Sequence, residues 1–267
     1  MSSAQSTRIS GTREWSVASI NCVLGCPHRC RYCYAAAKAV QRGQCPSREA
    51  WGTTYHRLRL AEVRKRRQKV DGRVMFPTTH DITPEFLDSC TEVIDHLLSA
   101  GNDVLIVSKP HFACIRSICD RFFAFYRESI LFRFSIGAVS DSILSYWEPG
   151  APNFRERLAS LKHAHDQGYA TSVSCEPLLD AERVSELVET VAPYVTDTIW
   201  IGKMNDMDNR VVRGTDPQEI VRIARGQTDS AIHRISELLG NNPKVRWKES
   251  FKSVLKLPLL LQPGLDK

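Results

Sequence analysis

The sequence predicts an α/β protein built as a partial (β/α)6 TIM-type barrel with a C-terminal helical and strand extension. Three observations carry this. Short apolar runs alternate with helix-period segments along the chain, the pattern of βαβ units and a mostly parallel sheet. No Pro/Gly/Ser-rich linker separates the six units, so they belong to one body. The strands also alternate polar with apolar residues. In Leu131–Ile136, Arg133 and Ser135 oppose Phe132, Phe134 and Ile136, and in Thr171–Glu176, Ser172, Ser174 and Glu176 oppose Val173 and Cys175. The apolar faces suit covering helices, which leaves a polar interior. A tightly filled eight-stranded barrel prefers branched apolar residues inside, so an open, incomplete barrel with room for a ligand fits better.

The first strand is expected at Trp15–Val23, leading into a cysteine cluster, with an Ala-rich helix from about Arg31 to Val40. Arg73–Phe76 reads as a short strand. Pro84–Ala100 places Phe86, Leu87, Val93, Ile94, Leu97 and Leu98 on a helical face that Gly101 closes. Strand Val104–Ser108, helix Ala113–Phe125 and strand Leu131–Ile136 follow. Helix Phe154–Gln167 stops at Gly168, ahead of strand Ala170–Cys175, helix Ala181–Val191 and strand Thr198–Ile201. Helices at Pro217–Ala224 and Asp229–Leu239 precede a last strand at Lys244–Trp247. These elements divide into an N-terminal extension (1–14), a barrel core (15–205) and a C-terminal extension packed on it (206–267).

Composition narrows the class. A chain of 267 residues, 42% hydrophobic and 25% charged, is neither disordered nor collagen-like, and it is large enough for a full core. No apolar run approaches the roughly 18–20 residues of a membrane span. Met1–Gly11 lacks the apolar stretch of a signal peptide, so a cytoplasmic protein is expected. The balance of 36 basic to 30 acidic residues, +6 in all, permits a nucleic-acid partner without requiring one. Nine cysteines, an odd number without a secretion signal, point to metal or reactive thiols rather than a disulfide framework.

Four of the nine crowd together as Cys22, Cys26, Cys30 and Cys33, the last three within Gly25-Cys-Pro-His-Arg-Cys-Arg-Tyr-Cys-Tyr34. Three thiolates this close on a loop leaving a strand can hold three corners of a [4Fe–4S] cube, leaving one iron open to a small molecule. The alternative is a zinc site with Cys22 as fourth ligand. Structural zinc sites usually pair two Cys-x-x-Cys-like hairpins across a longer spacer, which this single run lacks.

The Cys-x-x-x-Cys-x-x-Cys run, with Tyr32 before its third cysteine, resembles the signature of radical S-adenosylmethionine enzymes. Within that superfamily the sequence is most similar to the spore photoproduct lyase group. The supporting segments are Gly25–Ala35, Phe76–Ile82, Leu105–Pro110, Phe132–Ile136 with Glu148–Gly150, and Gly168–Leu179. The resemblance implies a six-unit partial barrel in which Cys26, Cys30 and Cys33 ligate the cluster and S-adenosylmethionine chelates the fourth iron. Reductive cleavage then yields methionine and a 5′-deoxyadenosyl radical that abstracts hydrogen from a substrate. It further implies that Tyr32 packs near the adenine, and that Thr79 and His80 meet the methionyl amine. Lys109 would meet the carboxylate and Ser135 the ribose. An ammonium suits a carboxylate, and a hydroxyl both donates to and accepts from a ribose. The usual electron donor of the family is a flavodoxin or ferredoxin.

One departure stands out. Spore photoproduct lyase carries a hydrogen-donating cysteine in the loop after strand two, where this chain has Met75-Phe-Pro-Thr-Thr-His-Asp81 and no thiol. Reversal of a thymine dimer by that route is therefore not expected. Cys45, after the first helix, is a candidate to reach the barrel mouth, whereas Cys90, Cys114, Cys119 and Cys175 read as core. Glu176, Lys203 and Lys248 end successive strands, where barrel active sites gather. Glu176 is a candidate to orient the cofactor or substrate, and Glu176 and Lys203 join Cys45 as catalytic candidates. His163 and His165, two apart on a helix, face different sides and make a poor metal pair.

The stretch Arg57–Arg73 holds eight basic residues against two acids. It reads either as a phosphate-tracking helix beside the barrel mouth or as a solvated amphipathic helix with Leu58, Leu60 and Val63 inward. The expected substrate is a nucleobase or nucleotide, free or within DNA or RNA, with a lyase or isomerase-type outcome. The rivals are a radical enzyme acting on a metabolite or peptide, and a nucleic-acid-binding protein with a structural cysteine site.

Overall fold

Seven short strands lie side by side in one parallel sheet because each is followed by a helix or loop that returns the chain to the sheet's starting edge. The structure is a computed structural model that describes residues 9–264. The strands are β1 (Ala18–Ser19), β4 (Val74–Phe76), β5 (Val104–Ser108), β6 (Ile130–Ser135), β7 (Ala170–Cys175), β8 (Ile199–Ile201) and β9 (Val245–Trp247), adjacent in that order. Register is continuous, with Val74 opposite Val104 and Val104 opposite Ile130. A separate antiparallel pair, β2 (Val23–Leu24) with β3 (Arg57–Leu58), ties the base of the excursion that carries the cysteines.

Twelve helices complete the described residues. They are α1 (Tyr34–Gln41), α2 (Arg48–Trp51), α3 (Leu60–Val63), α4 (Leu87–Ser99), α5 (Phe112–Tyr126), α6 (Asp141–Trp147), α7 (Phe154–Asp166), α8 (Val184–Val191), α9 (Met207–Arg210), α10 (Pro217–Arg225), α11 (Asp229–Leu239) and α12 (Glu249–Val254). The outward strand residues Phe132, Phe134, Ile136, Val173 and Cys175 are fully buried in one core with Ile115, Ile118, Leu161 and Leu187 of the helices. Each large side chain there contributes about 1.5–3 kcal/mol by leaving water.

The inward faces are graded along the strands. Trp15, Met75, Leu105, Leu131 and Trp200 form an apolar plug at the level of the strand starts. One layer higher, Arg133 stacks 4.5 Å from the Trp15 ring centroid, and its Nε donates to Ser172 Oγ at 2.9 Å. Above that layer Ser135, Ser174 and Glu176 face a cavity. The polar alternation read from the sequence is this inner face.

The sheet does not close, and β1 and β9 are its two edges. The gap between them is filled by the 3-10 turn Gly11–Glu14 and by Trp15. Lys248 Nζ pins this segment, 2.8 Å from Glu14 Oε1 and 2.9 Å from the Gly11 carbonyl. Of the expected N-terminal extension, residues 1–8 lie outside the described residues, while β9 from the expected C-terminal extension adds the seventh strand.

Three expectations need correction. The first strand is not continuous over 15–23, since only Ala18–Ser19 joins the sheet. Asn21 Oδ1 accepts the N–H groups of Thr78 and Thr79, and His80 Nε2 accepts those of Cys22 and Val23. The loop after β4 therefore draws this segment off the sheet. The Ala-rich helix begins at Tyr34 because Cys33 caps it, Sγ accepting from Ala36 N–H at 3.4 Å. The basic stretch is helical only over Leu60–Val63. Beyond it Arg67 folds back onto the Glu62 carbonyl and Val70 N–H goes to Asn102 Oδ1, and residues 65–70 take no regular structure. Leu60 is exposed there, and Val63 is buried.

Candidate active site

Parallel strands bring all their C-terminal ends to one side, and the loops leaving those ends enclose a cavity of about 850 Å³. Cys26, Cys30 and Cys33 line it, as do Tyr32, Thr79, His80, Lys109, Ser135, Glu176 and Lys203. The topology thus gathers these sequence candidates into one place.

The cysteine loop is set by close backbone packing. Gly25 has φ of 87°, and a Cβ there would lie 2.5 Å from the Trp51 carbonyl oxygen. Gly150 approaches from the other side, where a Cβ would lie 2.2 Å from the Pro27 carbonyl oxygen. Cys26 and Cys30 are buried and Cys33 is half-buried. Burial pushes the Cys26 thiol far above its ordinary value, and the neighbouring Asp81 and Cys33 push it further. For Cys30 burial dominates again; Lys109 opposes it, and Glu148, Cys33 and Cys26 reinforce it. Buried sulfurs set this close together become thiolates as a group only against a strong local positive charge, which iron supplies. This donor set fits a [4Fe–4S] cluster with one iron left for another ligand. The zinc alternative loses its fourth ligand, because Cys22 sits in the main core with Sγ 3.9 Å from Cys90 Sγ.

Asp81, which sequence reasoning passed over, anchors the opposite wall. Its Oδ1 accepts from Ser108 Oγ at 2.9 Å and from Lys109 N–H at 2.6 Å. Its Oδ2 lies 2.9 Å from His28 Nδ1, 3.7 Å from Lys109 Nζ and 3.9 Å from Cys26 Sγ. Burial alone would raise the Asp81 carboxyl, but Lys109 and then His28 outweigh it and hold it well below the usual range. Lys109 mirrors this. Burial would lower the ammonium, yet Cys30, Asp81, Tyr32 and Glu148 together hold it well above its ordinary value.

A second buried network holds Tyr32 and Ser135. Tyr32 OH donates to Glu148 Oε1, and Glu148 Oε2 lies 2.5 Å from Arg157 Nη2. Arg157 also donates to the Ser135 carbonyl at 3.1 Å. The Ser135 hydroxyl has no protein partner among the described residues and faces the cavity. Glu148 stands in one of the segments that carry the resemblance but with no role attached, and Arg157 carries no signal.

The remaining candidates divide. The Thr79 side chain lines the cavity, its backbone N–H held by Asn21. His80 lines it too, but Nε2 accepts two backbone N–H groups and Nδ1 bonds the Asp81 carbonyl, so both ring nitrogens are engaged by the protein. Glu176 Oε2 lies 3.3 Å from the buried Lys248 Nζ. Gly202 makes room for that contact, since a Cβ there would meet Lys248 at 2.8 Å. Cys45 does not reach the cavity. It is buried among Ala35, Ala39 and Trp51, with Sγ donating to the Ser47 carbonyl at 3.1 Å.

No protein-family model matches the sequence. An uncharacterized protein of Acidianus two-tailed virus is 25% identical over 187 residues, which is 64% of this chain and 59% of the viral protein. Among solved structures, Streptococcus suis SuiB bound to S-adenosylmethionine superposes with a TM-score of 0.55 at 10% identity, over 93% of this chain. The chain spans only 54% of SuiB. A cysteine-to-alanine variant of spore photoproduct lyase gives 0.55 at 16% identity, over 91% of this chain and 79% of the lyase. The same variant with dinucleoside spore photoproduct gives 0.53 at 15% identity. In architecture, the chain shares the partial-barrel fold of the radical S-adenosylmethionine enzymes.

Proposed function

We propose that this protein is a cytoplasmic radical S-adenosylmethionine enzyme with one [4Fe–4S] cluster, reduced by a flavodoxin or ferredoxin. The observation that carries the reading is the convergence of three free thiols, two of them buried, with Lys109, Ser135 and Tyr32 on one cavity at the strand C-termini. When bound, the cluster and S-adenosylmethionine supply a 5′-deoxyadenosyl radical. Cys26, Cys30 and Cys33 hold the iron. Lys109 receives the cofactor's carboxylate, and the free Ser135 hydroxyl bonds the ribose. Tyr32 offers its ring to the adenine while Glu148 fixes its hydroxyl. Thr79 takes the methionyl amine with its side-chain oxygen; His80, its nitrogens engaged, shapes the loop instead. Glu176 and Lys203 on the far wall orient the substrate.

The proposed substrate is a nucleobase or nucleotide, free or within DNA or RNA. Support comes from Arg13, Arg29, Lys38, Arg48, Lys203 and Arg210, which line the cavity with no carboxylate in ion-pair range among the described residues. Lys38 and Arg210 flank the Tyr34 ring at 5.6 and 5.8 Å, an interleaving of cation and aromatic that suits phosphates and bases. With no thiol in the loop after β4 and Cys45 buried elsewhere, the substrate radical rearranges, fragments or recovers hydrogen from 5′-deoxyadenosine. A peptide substrate is the second reading, favoured by the likeness to SuiB bound to its precursor peptide SuiA, with a TM-score of 0.54. Deuterated substrates separate the two. Deuterium from a labelled oligonucleotide or nucleotide should appear in 5′-deoxyadenosine, or return to product. Stimulation of 5′-deoxyadenosine formation by peptides alone would favour the second reading.

A further inference from the structure

Asp81 is the point where the loops of the site converge. It accepts the hydroxyl of Ser108 and the backbone N–H of Lys109 at the end of β5, while its other oxygen meets His28 of the cysteine loop at 2.9 Å. His28 is fully buried and is braced from behind by His111, with Nε2 to Nε2 at 3.0 Å. One carboxylate therefore links the segment that carries the three thiols to the segment that carries Lys109. Hydrogen bonds to a buried carboxylate are short and directional, so this link is stiff. The Lys109 side chain is only 15% exposed, and its ammonium lies 3.7 Å from Asp81 Oδ2.

We infer that Asp81 is the positioning residue of the site, fixing Lys109 against the 26–33 loop so that the cofactor's carboxylate is held in a set place relative to the cluster. This rests on the enzyme reading above. Asp81 also lines the cavity, 3.9 Å from Cys26 Sγ, and its proposed effect on the cofactor runs through Lys109. Groups that orient the binding residues of a metal centre commonly matter by about tenfold or more.

The test is a double-mutant cycle on the anaerobically reconstituted full chain, with Asp81→Asn, Lys109→Met and the pair together. Iron content and S-adenosylmethionine affinity by equilibrium dialysis are the readouts. Asp81→Asn should keep its iron yet bind S-adenosylmethionine about tenfold or more weakly. In the Lys109→Met background the same change should add less than about twofold, because a group acting through Lys109 has nothing left to position. Unchanged or tighter binding by Asp81→Asn overturns the inference. So do losses that multiply in the double variant, the outcome of a general structural role. Should Asp81→Asn lose iron or fold, Ser108→Ala serves in its place. It should weaken binding about threefold, only when Lys109 is present, and an unchanged affinity would again overturn the inference. Absence of S-adenosylmethionine binding by the unmodified protein marks failure of the enzyme reading itself, seen before any variant is made.

Discussion

A methyl group on Gly150 would sit 2.2 Å from the carbonyl oxygen of Pro27, and neither partner is a flexible side chain that can swing away. Gly150→Ala is therefore predicted to displace the cysteine loop. Reconstituted protein should carry fewer than four irons per chain, and urea unfolding should show a loss of about 1–3 kcal/mol from overpacking. Full iron loading at unchanged stability would contradict that packing. Residues of this kind were partly legible in the sequence. Lys109 and Ser135 stand at strand ends, which a parallel barrel must bring together, and the cysteines are marked by their own spacing in the connection after β1. Asp81 and His28 are 53 positions apart, and nothing local marks their pairing. His80 lines the cavity as its residue type suggested, while its ring nitrogen also holds the backbone N–H groups of Cys22 and Val23, which nothing local marks.

At the level of elements, the ion pair between Arg157 of α7 and Glu148 after α6 joins two helices to the end of β6. Both side chains are buried. Arg157→Met leaves the carboxylate without its partner, which should lower unfolding stability at pH 7 by about 3–5 kcal/mol. Burial would raise the Glu148 carboxyl, but Arg157 and Lys109 outweigh it and hold it below its ordinary value. A carboxyl depressed in the folded state adds stability above its unfolded pKa of about 4.3 and loses it as the pH falls through the folded value. The stability gap between wild type and Arg157→Met should therefore narrow below about pH 4. A gap constant from pH 7 to 3 would show that the pair contributes little. Element positions were readable where period and terminators agree, as at Val104–Ser108, Ala170–Cys175 and Asp229–Leu239. They failed where long-range hydrogen bonds decide, as when Asn21 and His80 divert the first strand and when Asn102 takes the Val70 N–H in the non-helical stretch after Val63.

For the molecule as a whole, strand alternation foretold the apolar outer faces and the polar inner residues of β6 and β7, but not the apolar plug of Met75, Leu105, Leu131 and Trp200 beneath them. The open edge between β1 and β9, and its filling by Glu14, Trp15 and Lys248, depend on pairings across more than 200 residues and had no local signal. The distribution of charge differs from the one the sequence suggested, since the cations that face the cavity come from α1, α2, α9 and flanking loops rather than from the 57–73 stretch. Oligonucleotide affinity should fall with rising salt. Lys38→Ala with Arg210→Ala should reduce the slope of log affinity against log salt by about 1 for each phosphate no longer neutralised. An unchanged slope would remove that rim from the substrate path.

Whether three thiols on one loop hold a cluster whose open iron works on S-adenosylmethionine, beside Lys109 and Ser135, is tested most directly by the yield of 5′-deoxyadenosine. The measurement follows anaerobic reconstitution and dithionite reduction. The unmodified chain should form 5′-deoxyadenosine from S-adenosylmethionine and carry four irons, while Cys26→Ala, Cys30→Ala and Cys33→Ala should each abolish its formation. A chain that binds stoichiometric zinc, or forms no 5′-deoxyadenosine when fully loaded with iron, would contradict this reading of the site.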